Sequence, residues 1–240
     1  MLRLEKVSKY FGGLAALSGI SVEICEGEFV GLIGPNGSGK TTLFNVISGV
    51  LKPNKGKIFY YSRDITGLTP DRICHLGIVR TFQIPRPFRD MTVLENVMIG
   101  ALFGKKSADS DEGKAKQLAL ECLSFVGLEV TEKTMPDELT AVGLRRLELA
   151  KALATKPKVL LADEVLSGLN KEELEQAARI LKKIHAELGV TIIWVEHIMG
   201  ALMNLVDRVI VLDYGELIAD GSPREIANNE RVIEAYLGEE

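Results

Sequence analysis

The sequence contains few cysteines, and they form no pattern. Cys25, Cys74 and Cys122 are odd in number, far apart and without C-x-x-C spacing, so they indicate neither a disulfide framework nor a zinc site. We interpret them as reduced thiols of the kind found in cytosolic proteins.

Long apolar runs and an excess of basic residues are also lacking. The chain has no run of about 18 uncharged apolar residues, the length that a membrane-spanning helix needs, and its first residues hold no apolar signal-peptide core. We therefore expect no transmembrane segment. The formal net charge is −4, which argues against nucleic acid as a partner, since nucleic-acid-binding proteins normally present a basic surface.

The remaining composition is that of an ordinary globular protein. The 240 residues are 46% hydrophobic and 26% charged, which suffices for one large domain with its own core.

One eight-residue string carries most of the functional information. It consists of Gly34, Pro35, Asn36, Gly37, Ser38, Gly39, Lys40 and Thr41. This is the G-x-x-x-x-G-K-[ST] phosphate-binding loop, in which glycines let backbone N–H groups point at phosphate oxygens. Lys40 would contact the β- and γ-phosphates, Thr41 would ligate Mg²⁺, and Thr42 lies beside them at the start of a helix. The string predicts a nucleoside triphosphate site.

The segments around this loop predict an α/β fold. Residues 29–33 are apolar and suited to a buried strand, and residues 42–49 carry helix-spaced apolar residues that stop at a glycine. Strand-like runs occur at residues 2–7, 20–24, 28–33, 57–61, 77–82, 159–162, 190–195 and 208–212. Those in the second half alternate with helical segments, which predicts a largely parallel sheet.

Residues 88–155 show helix signals and no strand signal. Thr92 and Glu95 form a capping box, residues 114–126 and 145–155 have helix-forming composition, and residues 107–113 are interpreted as an acidic solvated loop. We therefore divide the chain into a nucleotide-binding core, residues 1–87 and 156–240, and a helical subdomain, residues 88–155.

Two carboxylates follow an apolar strand in the second half of the chain. Asp163 and Glu164 come directly after residues 159–162. A carboxylate in this place lies at the edge where α/β proteins bind ligands, so Asp163 can hold Mg²⁺ and Glu164 can orient or deprotonate an attacking water. The alternative is a strand that meets a solvated acidic turn.

The order of these motifs resembles one family over essentially the whole chain, the nucleotide-binding subunits of ATP-binding cassette (ABC) transporters. The matching segments are the phosphate-binding loop, residues 80–83, a helical insert, residues 139–146, the pair at 163–164, residues 167–170 and His197. The resemblance implies a P-loop core of ABC type with an N-terminal antiparallel β subdomain and an inserted helical subdomain. It also implies ATP and Mg²⁺ as cofactors.

The resemblance also implies roles for single residues. Phe11 corresponds to the aromatic that stacks on adenine, although an aromatic residue that plugs a strand end is the alternative. Gln83 would touch Mg²⁺ or the attacking water. His197 would donate to the γ-phosphate, against the alternative of an ordinary loop histidine. We interpret the other two histidines, His75 and His185, as structural.

The signature loop of the family is altered in this chain. The usual L-S-G-G-Q appears as residues 139–143, in which Thr140 keeps a hydroxyl, Val142 replaces a glycine and Gly143 follows one position later. In the family this loop closes on ATP that the other subunit holds. Two interpretations stay open: a tolerated variant with intact hydrolysis, or a half-site that is weakened by crowding.

Within the family, the chain is similar to the ATPases of importers for branched-chain or other hydrophobic amino acids. This resemblance rests on residues 77–97, Glu196 with His197, and residues 232–239. It implies transmembrane permease subunits and a second ABC ATPase subunit as partners, no direct contact with the solute, and a place at the cytoplasmic face of the plasma membrane. The alternatives are a soluble ABC-type ATPase that acts on a protein assembly, and an ATP-dependent clamp with little turnover.

Overall fold

A computed structural model of the chain describes residues 1–82, 84–104, 111–163, 171–196 and 202–237. Its strands are β1 (Leu2–Phe11), β2 (Leu14–Ile24), β3 (Phe29–Ile33), β4 (Lys55–Tyr60), β5 (Arg63–Asp64), β6 (Ile78–Arg80), β7 (Val159–Asp163), β8 (Thr191–Val195), β9 (Arg208–Asp213) and β10 (Glu216–Gly221). Its helices are α1 (Lys40–Ile47), α2 (Pro70–His75), α3 (Val93–Phe103), α4 (Glu112–Phe125), α5 (Ala141–Ala154), α6 (Lys171–Leu188), α7 (Pro223–Ala227) and α8 (Glu230–Leu237).

The strands form two sheets. The first has the order β2-β1-β4-β5 and is antiparallel. The second has the order β10-β9-β3-β8-β7-β6, and its pairs are parallel except β9 with β10. The predicted α/β fold with an N-terminal antiparallel part is therefore confirmed.

The parallel strands bring the predicted functional segments to one edge of the second sheet. The strand β3 leads into the phosphate-binding loop, and β7 ends at Asp163, which pairs in register with Val195 at the end of β8. Since the carboxyl ends of parallel strands meet at the same edge, both motifs lie where α/β proteins bind ligands.

The second sheet has a hydrophobic core on each face. Because side chains alternate along a strand, Leu160 and Ala162 of β7 pack with the helices α3 to α6, whereas Val159 and Leu161 pack with α1 and the first sheet. The edge that holds Asp163 and the phosphate-binding loop is thus supported from both sides by buried apolar residues.

The described part of residues 88–155 contains the helices α3, α4 and α5 and no strand. The capping box at Thr92 and Glu95 is confirmed at the start of α3. The loop prediction for residues 107–113 is wrong at its end, because Asp111 caps α4 by accepting from the N–H groups of Gly113 and Lys114. Residues 105–110 lie outside the described residues, and the division into a core and a helical subdomain stays a prediction.

The two histidines interpreted as structural contact backbone carbonyls. His185 Nδ1 lies 3.1 Å from the oxygen of Val190, and His75 Nε2 lies 3.1 Å from the oxygen of Phe103. Among the described helices, none is both long and apolar enough to cross a bilayer.

Candidate nucleotide and metal site

The phosphate-binding loop depends on glycines with positive φ. Gly34, Gly37 and Gly39 have φ values of +149°, +78° and +104°. A Cβ at Gly34 would lie 2.0 Å from the backbone oxygen of Leu212, and one at Gly39 would lie 2.6 Å from that of Ala16. Both positions require a positive φ and leave no room for a Cβ. Only glycine satisfies both conditions, since other residues are strained at positive φ and carry a Cβ. The backbones of β9 and β2 therefore lie so close to the loop that these two positions accept only glycine.

Lys40 opens α1 and places its charge inside the loop. The residue is 5% exposed, and Nζ donates to the carbonyl oxygens of Gly34 and Pro35 at 2.7 Å each. A buried ammonium needs polar partners, and phosphate oxygens are stronger partners than carbonyls because they are charged. The loop thus holds a cation beside the N–H groups at the start of a helix, which is the arrangement that binds phosphate.

A surface pocket joins this loop to Phe11. It has a volume of about 380 Å³. Its lining residues are Phe11, Leu14, Ala15, Ala16, Asn36, Gly37, Gly39, Lys40, Thr41, Thr42 and Tyr214. Phe11 is 47% exposed, so its ring is accessible for stacking against a planar ligand. The structure thus brings Phe11 to one pocket with five of the predicted loop residues and Thr42.

Sequence reasoning missed part of this pocket. Tyr214 lies in the turn between β9 and β10, and residues 14–16 belong to β2. The pairing of β9 with β3 brings Tyr214 to the loop. No local sequence motif predicts such a long-range contact.

Asp163 is held at the end of β7. It is 4% exposed, its N–H donates to Thr81 Oγ1 at 3.3 Å, and its Oδ2 accepts from Arg80 at 2.5 Å. The exposed Thr41 hydroxyl and this carboxylate are both hard oxygen donors, which is the chemistry that Mg²⁺ prefers. The residues present are therefore suited to Mg²⁺ bound together with nucleotide phosphates.

Three predicted catalytic residues lie outside the described residues. They are Gln83, Glu164 and His197. Their roles stay predictions, as does the contribution of residues 167–170.

The altered signature loop forms the N-terminus of α5. Thr140 is the N-cap, and its Oγ1 accepts from the N–H of Gly143 at 3.1 Å. Gly143 is buried, and a Cβ there would lie 3.2 Å from Leu139 Cβ. Neither Thr140 nor Gly143 is among the described residues that line the pocket at Lys40. The assignment of both residues to a nucleotide site stays a prediction.

A phosphate-binding loop that opens a helix, an aspartate at the same edge of a parallel sheet and an antiparallel sheet beside them define a P-loop nucleotide-binding protein. The sequence pattern of the family described as "ABC transporter" matches residues 17–167. The chain belongs to this family, and it is an ATP-binding cassette ATPase. The pattern of a second family, "Branched-chain amino acid ATP-binding cassette transporter", matches residues 216–240.

Among the curated relatives that match over the whole chain are two branched-chain amino acid transport proteins. The High-affinity branched-chain amino acid transport ATP-binding protein LivG of Salmonella typhimurium is 36% identical over 250 residues, which cover 100% of this chain and 98% of LivG. The corresponding protein BraF of Pseudomonas aeruginosa is 35% identical over 250 residues, with the same coverage of 100% and 98%.

Solved structures of ATP-binding cassettes have the same fold. The ADP conformation of a cassette from an ABC transporter has a TM-score of 0.88 and 35% identity, and the alignment covers 100% of this chain and 99% of that one. A dimeric bacterial ABC transporter cassette has a TM-score of 0.83 and 32% identity, and covers 93% of this chain and 99% of its own.

Proposed function

We propose that this chain is the ATP-hydrolysing subunit of an importer for branched-chain or other hydrophobic amino acids. The observation that carries the proposal is the match of residues 216–240 to the branched-chain amino acid cassette family. It is supported by relatives named for branched-chain amino acid transport that align over the full chain. The solute itself would contact other subunits, so its assignment rests on these likenesses.

In the proposed reaction the residues of this chain bind the nucleotide, orient its phosphates and polarise the attacking water. Lys40 and the loop N–H groups hold the phosphates, and Phe11 stacks on the base. Thr41, Asp163 and Gln83 would hold Mg²⁺, and the ion would supply positive charge to the phosphate oxygens. Glu164 polarises the attacking water and His197 donates to the γ-phosphate. Catalysis is then mostly positioning and electrostatic stabilisation.

The proposal includes two kinds of partner. A second cassette would pair head to tail with this one, so that Thr140 and Gly143 of each subunit complete the ATP site of the other. The dimeric form of a related cassette supports this pairing. Transmembrane permease subunits would bind the dimer at the cytoplasmic face of the plasma membrane.

Transport in proteoliposomes tests the proposal. The chain is reconstituted with transmembrane permease subunits and a solute-binding protein from the same organism, and ATP-driven uptake of leucine is compared with uptake of lysine. We expect leucine uptake that Glu164→Gln abolishes and that Glu172→Gln, the same change at an exposed position of α6, leaves intact. Failure to assemble with a multi-span protein, or uptake that does not depend on Glu164, would overturn the proposal.

One structural feature favours a second candidate, a clamp that closes on ATP with little turnover. Val142 lies half-buried in the first turn of α5, where a branched side chain crowds the approach of a phosphate. On this reading Val142→Gly raises the ATPase rate severalfold. An unchanged rate, together with turnover that depends on Glu164, would rule out the clamp.

A further inference from the structure

We infer that Arg80 is a positioning residue that fixes the distance between Thr41 and Asp163, two of the three proposed metal ligands. The inference rests on the proposed function, because it concerns the Mg²⁺ site described there. It adds a residue to which the family likeness gives no role.

Arg80 bridges two elements with its two terminal nitrogens. Nη1 donates to Asn45 Oδ1 at 2.6 Å, and Nη2 donates to Asp163 Oδ2 at 2.5 Å. The side chains of Arg80 and Asp163 are only 7% and 5% exposed. The bridge is therefore shielded from water, where charge-assisted hydrogen bonds are strongest.

The topology explains why such a bridge matters. Thr41 and Asn45 are four residues apart on α1, so they lie on one face of that helix. The helix α1 follows β3, but β3 and β7 are not neighbours in the sheet because β8 lies between them. No strand pairing therefore links Thr41 directly to Asp163. Arg80, at the end of β6 beside β7, connects the helix of one ligand to the strand of the other.

The surroundings of Arg80 favour a role in linking Asn45 to Asp163 over a role in stabilising the fold. Arg80 Nε is buried and makes no hydrogen bond, which costs stability. The guanidinium lies 5.7 Å from the ring centroid of Phe44 and 5.4 Å from that of Phe82, so its plane is confined. A rigid fork with two donors can span two acceptors in fixed geometry, whereas the single ammonium of lysine cannot.

The bridge also leaves one oxygen of Asp163 for another partner. Arg80 engages Oδ2, and Oδ1 accepts no hydrogen bond from the described residues. Outer partners that orient a metal ligand in this way typically contribute about 10- to 100-fold to metal affinity.

Binding of Mn²⁺ as a probe for the metal tests the inference. Its affinity is measured by electron paramagnetic resonance with the full chain and a saturating non-hydrolysable ATP analogue, and the affinity for the analogue alone is measured in EDTA. We expect Arg80→Lys and Asn45→Ala to weaken Mn²⁺ binding by about 10-fold or more, with unchanged affinity for the analogue in EDTA. Arg72→Lys, at an exposed arginine of α2, is the matched control and should behave as wild type.

Asn45→Ala decides the question if Arg80→Lys does not fold, because it keeps the ion pair with Asp163 and removes only the link to α1. The double variant should bind Mn²⁺ no more weakly than Arg80→Lys alone, since both changes break one bridge. Asp163→Asn separates the two hypotheses. If this variant binds Mn²⁺ as wild type does, the proposed metal site is wrong. If it binds weakly while Asn45→Ala and Arg80→Lys bind normally or more tightly, the positioning role of Arg80 is overturned.

Discussion

At the residue scale, the shape of the phosphate-binding loop depends on the absence of one carbon atom. Gly39 combines a φ of +104° with a Cβ position only 2.6 Å from the oxygen of Ala16. Gly189 has a φ of +63° and open space around it. The two positions therefore separate backbone strain from steric exclusion.

We predict that Gly189→Ala lowers the free energy of unfolding by about 1–2 kcal/mol, the cost of positive φ for a residue with a Cβ. Gly39→Ala should cost more and should also abolish nucleotide binding, because the loop must move away from β2. Urea denaturation and equilibrium binding of a fluorescent ATP analogue measure the two effects. Equal losses of stability, with binding retained in Gly39→Ala, would contradict this account.

Cys25 and Cys122 should differ in reactivity because their surroundings differ. Cys25 is exposed and Cys122 is buried, and burial raises the pKa of the Cys122 thiol to about 11. Since the thiolate is the reactive form, a raised pKa means that Cys122 reacts slowly at pH 8. We predict that Ellman's reagent modifies Cys25 first and reaches Cys122 only when the chain unfolds. Cys25→Ser should remove the fast phase, and a fast phase that persists would refute the prediction.

At the element scale, the contribution of the α3 capping box to the free energy of unfolding should depend on pH. Glu95 accepts from the N–H and the hydroxyl of Thr92, at 2.7 and 2.9 Å, and these hydrogen bonds hold the pKa of Glu95 below its usual 4.5. A carboxylate with a lowered folded pKa stabilises above its unfolded pKa, and this stabilisation is lost as the pH falls through the folded pKa.

We therefore predict that Glu95→Gln is less stable than wild type at pH 7 and that the difference shrinks below about pH 4. Urea denaturation at a series of pH values measures it. Glu129→Gln is the control, since Glu129 is exposed and makes no hydrogen bond or ion pair in the described structure. If the difference in stability between wild type and Glu95→Gln stays constant down to acid pH, the capping carboxylate does not act through its charge.

The elements that sequence predicts well are those whose pattern is local. The strands β3, β7, β8 and β9 are apolar runs buried on both faces, and their bounds were predicted within one or two residues. The strands β1 and β2 extend over 10 and 11 residues, well beyond the predicted runs. Shifts in their register break the alternation on which strand prediction depends.

Other elements were missed or displaced for equally physical reasons. The helix α5 begins at Ala141 rather than at Arg145, because the Thr140 cap starts it inside the altered signature loop. The helices α2 and α7 span only six and five residues, too few for a clear helical period. The strand β10 is mostly half-buried or exposed and lacks the buried apolar run of β9. In the site, the loop is a local motif and was predictable. The bridge from Arg80 to Asn45 and Asp163 joins positions 35 and 83 residues apart, and only the folded chain brings them together.

At the scale of the whole molecule, the nucleotide pocket and the signature loop are separate features of one chain. The described lining of the pocket at Lys40 includes no residue of α5. If a second copy completes the site, a subunit with a defective pocket and a subunit with a defective signature loop should together form one intact ATP site. Ala141 offers a clean way to block the loop, because it is exposed in the first turn of α5. A glutamate there is favourable to the helix dipole but repels phosphate.

We predict that Lys40→Met and Ala141→Glu each abolish ATPase activity alone and that a mixture of the two recovers it. In an equal mixture, half of the dimers contain one of each chain, and each such dimer keeps one site with an intact Lys40 and an intact partner loop. Independent sites would then give about a quarter of the wild-type rate, because one site in four is whole under two-fold pairing. Ala141→Gln, which has the same size without the charge, should stay active. A mixture that remains inactive although mixed dimers form would mean that the loop acts within its own chain, and the head-to-tail composite site would have to be abandoned.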